Sequence, residues 1–301
     1  MARILISGAT GFVGSPLSLF LKSQNHQVVT LVRATEQKDR DSIVWDPLNR
    51  IAESKEFEGF DVVIHLAGEP LTLSRWSSEK QKKILESRTK STEFLTSLLV
   101  NAKIAPKLFL SASAFGFYGD RGDEVLTEES GVGNGFLAEV CSLWEKASMP
   151  LVERGVRVAH ARFGMVLGAR GGALKKMLLP YKLGLGGPLG DGMQWVSWIA
   201  LEDLIEAINF VIQTESLNGP VNFVSPNSVR QAEFSSLLAQ VLHRPHFFST
   251  PAWVLKFIYG IAAKELLLSS AKVMPAKLIA ANFSFKYPDL RSALCKALQI
   301  T

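Results

Sequence analysis

Short apolar runs alternate along the first half of the chain with longer stretches in which apolar residues recur every three or four positions. The runs are typical of strands buried on both faces, and the longer stretches of amphipathic helices. Strands are predicted at 4–6, 27–32, 43–46, 61–67, 107–111 and 156–163, and helices after residue 14, over 77–100 and over 136–154. This order predicts an α/β fold built on a doubly wound, mostly parallel sheet with helices on both sides.

The second half of the chain has a different pattern. A glycine-rich loop at 183–192 has no strand before it, which indicates a tightly turned or mobile segment near the cleft and not a second phosphate loop. Further elements are predicted as strands at 195–199 and 221–224, helices at 202–214 and 230–243, and a mostly helical tail over 252–298. We therefore expect a nucleotide-binding domain over 1–168, to which some later segments return. A smaller, mostly helical substrate lobe should cover 169–301, with an extension from about 250.

Three glycines, Gly8, Gly11 and Gly14, follow the first strand at intervals of three residues. Glycine allows a sharp turn out of a strand, a close approach of the backbone to a pyrophosphate, and tight packing of helix on strand. The N–H groups at the start of the next helix favour a phosphate. The alternative is a tight turn without a ligand. The buried strand before the loop and the helix after it favour a Rossmann-type dinucleotide site.

The end of the second strand bears on which dinucleotide binds. An acid at this point would accept hydrogen bonds from the ribose hydroxyls of NAD, but here Arg33 follows Val32 and the first acid is Glu36. A guanidinium suits a 2′-phosphate through bidentate contacts, although a solvated loop arginine is the alternative. We expect NADP(H) as the cofactor, with NAD(H) less favoured.

Composition and charge narrow the class of protein. With 47% hydrophobic and 20% charged residues among 301, the chain is expected to be globular. The net charge of +5 is spread along the chain, since lysines such as Lys80 and Lys83 alternate with acids.

Cys141 and Cys295 are far apart, which argues against a disulfide framework and a zinc site and fits a reducing compartment. Neither a signal peptide nor a membrane span is apparent, so we expect a cytoplasmic protein with a small-molecule substrate and no nucleic-acid or membrane partner. The sequence indicates no oligomeric state.

Several motifs coincide in this chain. They are the glycine loop 8–14 with Thr10, the strand 61–68, Ser111 and Ser113 before Tyr118-Gly119, and the segment 162–168. Together they resemble the extended short-chain dehydrogenase/reductase superfamily. More narrowly, the chain is similar to its atypical "epimerase family" branch, whose members are described as nucleoside-diphosphate-sugar epimerases. The motifs of that branch cover nearly the whole chain, at 144–145, 171–174, 179–190, 194, 198–199, 219–222, 265–268, 273–275 and 283–285.

The resemblance implies an NADP-binding sheet domain, a smaller substrate lobe and a helical C-terminal extension. It also implies a small-molecule substrate, for which a nucleotide-sugar is one candidate. The resemblance also implies that Arg88 contacts the cofactor; the alternative is that Arg88 forms a surface salt bridge. Together with the glycine loop and the strand ends, the expected cofactor contacts are Gly8, Thr10, Gly11, Phe12, Val13, Gly14, Val32, Arg33, Leu66, Ala67, Gly68, Arg88, Ser111 and Met165.

The chain departs from the superfamily at the catalytic helix. Active members use a Ser or Thr with a Tyr-x-x-x-Lys pair for proton transfer. Ser113 fits the serine position, but residues 136–145 contain neither Tyr nor Lys. Leu137 and Cys141, or alternatively Phe136 and Val140, stand at the two positions. The candidate catalytic residues are therefore Ser113 and Tyr118, which is the nearest phenol in sequence.

Other residues of the site region have two interpretations. Ala200 stands where the branch usually has a histidine, so no imidazole is expected there. His65, inside an apolar strand, is expected to be a core residue, and Arg162 either a structural or a cofactor-facing cation. No G-x-S-x-G elbow and no metal-ligand spacing is present, which argues against a serine hydrolase and against metal catalysis. Two functions remain: an NADP(H)-dependent epimerase or oxidoreductase, or a catalytically silent NADP(H)-sensing or partner-binding protein.

Overall fold

The computed structural model describes residues 1–33 and 41–300, so Glu36 lies outside the described residues. The helices are α1 (Gly14–Ser23), α2 (Ser78–Val100), α3 (Phe136–Lys146), α4 (Met149–Glu153), α5 (Gly172–Lys182), α6 (Leu201–Gln213), α7 (Gln231–Val241), α8 (Ala252–Tyr259), α9 (Ile261–Leu266), α10 (Ala276–Ala280) and α11 (Leu290–Leu298). The strands are β1 (Arg3–Ser7), β2 (Gln27–Val32), β3 (Ser42–Val44), β4 (Val62–His65), β5 (Leu108–Ala114), β6 (Val125–Leu126), β7 (Arg157–Phe163), β8 (Met165–Leu167), β9 (Trp195–Val196), β10 (Trp198–Ala200), β11 (Gly219–Phe223), β12 (Val229–Arg230) and β13 (Lys272–Val273).

Seven strands form one parallel sheet in the order β11-β7-β5-β4-β1-β2-β3. The predicted doubly wound α/β fold is confirmed. β1 lies in the middle, where Ile4 pairs with Val28 of β2 on one side and with Val62 of β4 on the other. The order of the strands reverses at β1, so the connections after β1 and β4 open a crevice at the carboxyl edge of the sheet.

The apolar run of β1 is buried because helices cover both faces of the sheet. Ile4 and Ile6 pack into a core with α1 and α6, whereas Leu5 points the other way, into a core that includes Leu95 and Leu99 of α2. Successive side chains of a strand point to opposite faces. A strand covered on both sides therefore needs a continuous apolar run, as the sequence has here.

One predicted helix is two in the structure. The periodic pattern over 136–154 predicted a single helix, which was wrong, because α3 ends at Lys146 and α4 begins at Met149. Pro150 stands in the first turn of α4, where a residue without an N–H group is tolerated but could not continue an existing helix. The break turns the chain from α3 towards β7.

The second half of the chain contributes to both parts of the molecule. β11 joins the edge of the large sheet beside β7, and α6 packs on the same core as β1, although both lie beyond residue 168. The remaining strands form three two-stranded sheets, β8 with β10, β9 with β12, and β6 with β13. Through the last of these, Lys272 pairs with Val125, which ties the C-terminal tail to the first half of the chain.

The glycine-rich loop at 183–192 is tightly turned. Leu189 forms an isolated bridge with Thr250, and the amide of Gly190 donates to the carbonyl of Thr250 over 2.9 Å. A Cβ added to Gly187 would lie 2.2 Å from the carbonyl oxygen of Phe248, so only glycine fits at this approach. Within the described ranges, no helix has the length and apolar content that crossing a bilayer requires.

Candidate active site

The glycine loop between β1 and α1 has the tight geometry expected from its sequence. Gly8 has a φ of +71°, and a Cβ on Gly14 would lie 2.1 Å from the carbonyl oxygen of Gly8. Across residues 1–33 and 41–300, the amides of Phe12 and Val13 find no protein acceptor at the start of α1. Unpaired N–H groups at a helix N-terminus are what binds a pyrophosphate, so this loop fits a dinucleotide.

The side chain of Phe12 extends from this loop to the segment before α5. A Cβ on Gly171 would lie 2.4 Å from its ring, and Cβ atoms on Gly168 and Gly172 would lie 2.8 and 2.9 Å from it. Phe12 therefore packs on the segment that leads into α5. Its backbone belongs to the glycine loop, and its ring holds this segment against the loop.

A serine at the end of β1 holds the loop after β4 beside the glycine loop. The hydroxyl oxygen of Ser7 accepts hydrogen bonds from the amides of Leu66 and Ala67, at 3.1 and 3.2 Å, and lies 2.6 Å from Nδ1 of His65. The other ring nitrogen of His65 lies 3.3 Å from the hydroxyl of Ser91. Burial lowers the pKa of His65 to about 3, so the imidazole is neutral and is a core residue, as predicted.

The other expected cofactor contacts lie along the same edge. Val32 ends β2, next to β1, and the exposed Arg33 follows it. Ser111 is buried within β5, where its hydroxyl donates to the carbonyl of Ala112 over 3.2 Å. Met165 begins β8 and is half-buried. The carboxyl edge thus brings together residues from β1, β2, β4 and β5, with β8 following directly on β7.

Arg88 is a buried cation beside the loop after β4. A Cβ on Gly68 would lie 3.5 Å from its Cζ, and its guanidinium lies 5.1 Å from the ring centre of Trp144. It donates to the carbonyls of Ile84 and Glu69, each at 3.1 Å. Burial lowers the pKa of Arg88 below its usual value. Because carbonyl dipoles compensate a buried charge only in part, this position suits a further anionic or polar group.

A buried ion pair joins three elements next to Ser113. The carboxylate of Glu145, on α3, accepts from Nε and Nη2 of Arg162, each at 2.8 Å, in a bidentate pair. The hydroxyl of Ser113, at the end of β5, donates to Oε1 of the same carboxylate over 2.7 Å. Although burial opposes its charge, Arg162 has a pKa raised above the usual value by Glu145 and Tyr118. Arg162 is therefore a structural cation that holds Glu145 in place.

Tyr118 belongs to the same network and is fully buried. Its hydroxyl accepts from Nη1 of Arg162 over 2.9 Å and donates to Oδ1 of Asn222 over 2.7 Å. Burial raises the pKa of this phenol above its usual value. The structure thus brings the two candidate catalytic residues into one network, in which Ser113 and Tyr118 contact opposite ends of the ion pair.

Two residues of α3 face the turn after β5. A Cβ on Gly116 would lie 3.3 Å from Cβ of Leu137 and 4.0 Å from Sγ of Cys141. Burial raises the pKa of the Cys141 thiol to about 11, so it stays protonated near neutral pH and is no nucleophile. Phe136 and Val140 pack in a cluster with residues of α2 and α9, which also includes Leu137.

Sequence reasoning missed a contact from the C-terminal tail to α3. The carboxylate of Glu265, on α9, accepts from the amides of Phe136 and Leu137, at 3.2 and 3.0 Å. An acid at a helix N-terminus is favoured by the helix dipole. Gly135, just before α3, leaves room for this carboxylate, since a Cβ there would lie 2.8 Å from Glu265 Oε1. Only the position of Glu265 in a branch motif could have indicated a role.

Two other features of the site region concern the expected lack of an imidazole and of a metal site. Ala200 is buried directly before α6, so the position of the missing histidine is filled by a methyl group. In the part of the chain that the structure describes, no three His, Cys, Asp or Glu side chains lie where they could hold a metal ion.

Comparison with known proteins agrees with this geometry. Residues 4–223 match the model of the NAD dependent epimerase/dehydratase family, and residues 250–297 match a domain of unknown function, DUF1731. The Epimerase family protein YfhF of Bacillus subtilis is 36% identical over 300 residues, 98% of each chain. The Epimerase family protein SA0724 of Staphylococcus aureus is 38% identical over 296 residues, again 98% of each.

Solved structures resemble the chain over its full length. The human epimerase family protein SDR39U1, crystallised with NADPH, superposes with a TM-score of 0.89 at 30% identity and 99% coverage of both chains. The nucleoside-diphosphate sugar epimerase of Corynebacterium glutamicum superposes with a TM-score of 0.81 at 36% identity, over 99% of this chain and 58% of that one. These matches confirm the resemblance predicted from the motifs, and the chain belongs to the NAD dependent epimerase/dehydratase family.

Proposed function

We propose that the protein is an NADP(H)-dependent epimerase or oxidoreductase that acts on a hydroxyl group of a small polar substrate of the nucleotide-sugar class. Ser113 and Glu145 handle the proton in place of the Tyr-Lys pair of the wider superfamily. Two relatives support the cofactor and the substrate class: human SDR39U1 was crystallised with NADPH, and the Corynebacterium protein is named a nucleoside-diphosphate sugar epimerase.

The dinucleotide would be held along the carboxyl edge of the sheet. The amides of Phe12 and Val13 bind the pyrophosphate, and Arg33 at the end of β2 binds the 2′-phosphate. The loop after β4 would contact the adenosine half of the dinucleotide through Leu66, Ala67 and Gly68, as expected at this point of a doubly wound sheet. Arg88 lies beside this loop and supplies a buried positive charge.

The observation that carries the proposal is the direction of the hydrogen bond from Ser113 to Glu145. The carboxylate of Glu145 is held in a bidentate pair by Arg162 and accepts from Ser113, so the Ser113 proton points to Glu145. The lone pairs of the Ser113 oxygen then remain to accept a proton from a substrate hydroxyl. Serine in this state recognises an alcohol, the form of the substrate from which hydride is removed.

Ser113 and Glu145 would carry the proton of the substrate hydroxyl. A bound nicotinamide would supply the hydride chemistry at the substrate carbon. The substrate hydroxyl passes its proton to Ser113 Oγ while Ser113 passes its own to Glu145, and for epimer formation the proton returns by the same route. Arg162 positions Glu145, and Tyr118 positions Arg162, without touching the substrate.

A second candidate is a catalytically silent protein that senses NADP(H). It is favoured by Leu137 and Cys141, which face the site from α3 and include no group that exchanges a proton near neutral pH. In this case Ser113 and Glu145 have only a structural role. The two candidates share the cofactor site and differ in whether hydride moves.

The distinguishing experiment follows NADP⁺ reduction and epimer formation with a panel of nucleoside-diphosphate sugars. We expect turnover in the wild type, a loss of about a hundredfold or more in Ser113→Ala, and partial recovery in Ser113→Thr, with NADPH affinity unchanged in both variants. Turnover that is equal in wild type and Ser113→Ala contradicts the role of Ser113. NADPH binding without turnover on any member of the panel favours the silent protein.

A further inference from the structure

Large apolar side chains are exposed on one face of the C-terminal tail. Trp253 and Phe257 are 71% and 76% exposed and lie one turn apart on α8, opposite Leu255, the buried residue of that helix. Phe247, which is 82% exposed, and Phe248 lie in the segment just before α8. Large aromatic side chains at such exposure are costly in water unless they meet a partner.

The end of α5 and the glycine-rich loop extend this surface. The bridge from Leu189 to Thr250 and the close approach of Gly187 to Phe248 hold the loop alongside the segment before α8. Three leucines of this part are exposed as well. We call the following exposed side chains together the aromatic face: Leu179, Leu183, Leu185, Phe247, Phe248, Trp253 and Phe257.

The two segments that carry the aromatic face contain charges of one sign, and one acid follows directly after each of them, Asp191 and Glu265. The face lies on two segments, 170–190 and 242–264, which contain seven of the 33 basic residues of the chain and none of its 28 acidic residues. The rest of the chain therefore has a slight excess of acid. The seven cations are Arg170, Lys175, Lys176, Lys182, Arg244, Lys256 and Lys264, and all are exposed.

We propose that the aromatic face docks on the surface of an anionic lipid bilayer. Trp, Phe and Leu beside Lys and Arg are the combination with which helices bind at a bilayer interface, where the rings enter the headgroup region and the cations meet lipid phosphates. Such docking is peripheral and needs no helix that crosses the bilayer. The inference is independent of the proposed function, because no side chain of the aromatic face is among those assigned to the cofactor or to proton transfer.

The same charges disfavour a second copy of the chain as the occupant. In a symmetric dimer the same patch meets itself, so seven cations from each copy would gather around one interface without a single acid from these segments. Like charges brought together in this way oppose association. An anionic membrane instead offers both an apolar interior for the rings and a negative surface for the lysines.

The experiment is co-sedimentation of the full chain with vesicles of phosphatidylglycerol and phosphatidylcholine, compared with vesicles of phosphatidylcholine alone. We expect binding to the anionic vesicles only, and weaker binding as salt is added. The double variant Trp253→Gln/Phe257→Gln should lose about tenfold or more in affinity for the anionic vesicles. A matched double variant, Leu19→Gln/Ile104→Gln, changes two exposed apolar side chains elsewhere and should bind as the wild type does.

A charge variant tests whether the cations beside the aromatic face contribute to binding. Lys256→Glu keeps the apolar side chains and should weaken binding to the anionic vesicles by about tenfold. No binding to anionic vesicles, or equal binding by both double variants, overturns the proposal. The mass of the protein in solution gives a further test. If the wild type forms a dimer as its concentration rises and Trp253→Gln/Phe257→Gln stays a monomer, the proposal is overturned and the face belongs to an interface with a second copy.

Discussion

Ser113 donates a hydrogen bond to Glu145 over 2.7 Å, from the end of β5 to the last turn of α3. The carboxylate that receives it is also bound at both oxygens by Arg162. In the mechanism that we propose, this pair takes the place of the tyrosine-lysine pair of the wider superfamily. Glu145 fixes the orientation of the Ser113 hydroxyl.

Removal of one charge from the buried ion pair should destabilise the folded chain strongly. Glu145→Gln leaves the guanidinium of Arg162, 3% exposed, without a counter-charge, and we expect the free energy of unfolding to fall by about 3–5 kcal/mol in urea denaturation. The matched control is Glu79→Gln, which removes an exposed partner of Lys83 one turn away. It should leave the urea midpoint unchanged, and an equal loss in both variants contradicts the assignment.

A methyl group in the glycine loop should abolish its fit to the cofactor. In Gly14→Ala the new Cβ would lie 2.1 Å from the Gly8 carbonyl oxygen, so the loop must shift. We expect NADPH affinity, measured by fluorescence titration, to fall by about tenfold or more. Gly131→Ala adds the same methyl group where nothing lies within 4 Å, and its affinity should equal that of the wild type. Unchanged binding in Gly14→Ala is the opposing result.

The neutral buried histidine makes stability depend on pH. Below its ordinary pKa of 6.5, His65 gains a proton in the unfolded chain, but in the folded chain it stays neutral down to about pH 3. The unfolded state then binds more protons, so the free energy of unfolding should fall by about 1.4 kcal/mol for each pH unit below 6.5 on account of His65. Burial lowers the pKa of His160 as well, which adds in the same direction.

The variant His65→Asn isolates this contribution. Urea denaturation at several pH values between 3 and 6.5 should give a shallower decline in the variant than in the wild type, because one titrating group is gone. The remaining slope includes His160. Parallel declines in the two proteins would mean that His65 takes up its proton equally in the folded and unfolded chains.

The contact between the tail and α3 is open to a direct test. Glu265→Gln removes the charge that meets the N-terminus of α3, and we expect a loss of about 1 kcal/mol in the free energy of unfolding. Hydrogen exchange at the amides of Phe136 and Leu137 should become faster. Glu139→Gln removes an exposed acid from the first turn of the same helix and should not change exchange at these amides. Faster exchange in both variants would point to a general dipole effect and not to this contact.

Local patterns in the sequence predicted the elements whose formation depends on neighbouring residues. The run Ile4–Ile6 with Gly8 and Gly14 after it predicted a buried strand and a tight loop, and the structure has both. The helix break at Pro150 was missed, because the apolar period continues across it. Periodicity reports which face is buried and not where the backbone hydrogen bonds stop.

The network around Ser113 could not be predicted in the same way. Ser113 and Glu145 lie 32 positions apart, and Tyr118 meets Asn222 across 104 positions, so both contacts depend on how β5, β7 and β11 align. The sequence placed Tyr118 near Ser113 as the nearest phenol. The turn after β5 carries its hydroxyl into the core, where Arg162 binds it.

The cofactor assignment is the central claim, and a binding titration tests it most directly. NADPH and NADH are titrated into the wild type, into Arg33→Ala, and into Arg154→Ala as a control at another exposed arginine. We expect the wild type to prefer NADPH, Arg33→Ala to lose about ten- to hundredfold in NADPH affinity with NADH binding unchanged, and Arg154→Ala to match the wild type. Failure of the wild type to bind either nucleotide would contradict the account, since the loop from Gly8 to Gly14 would then be a turn without a ligand.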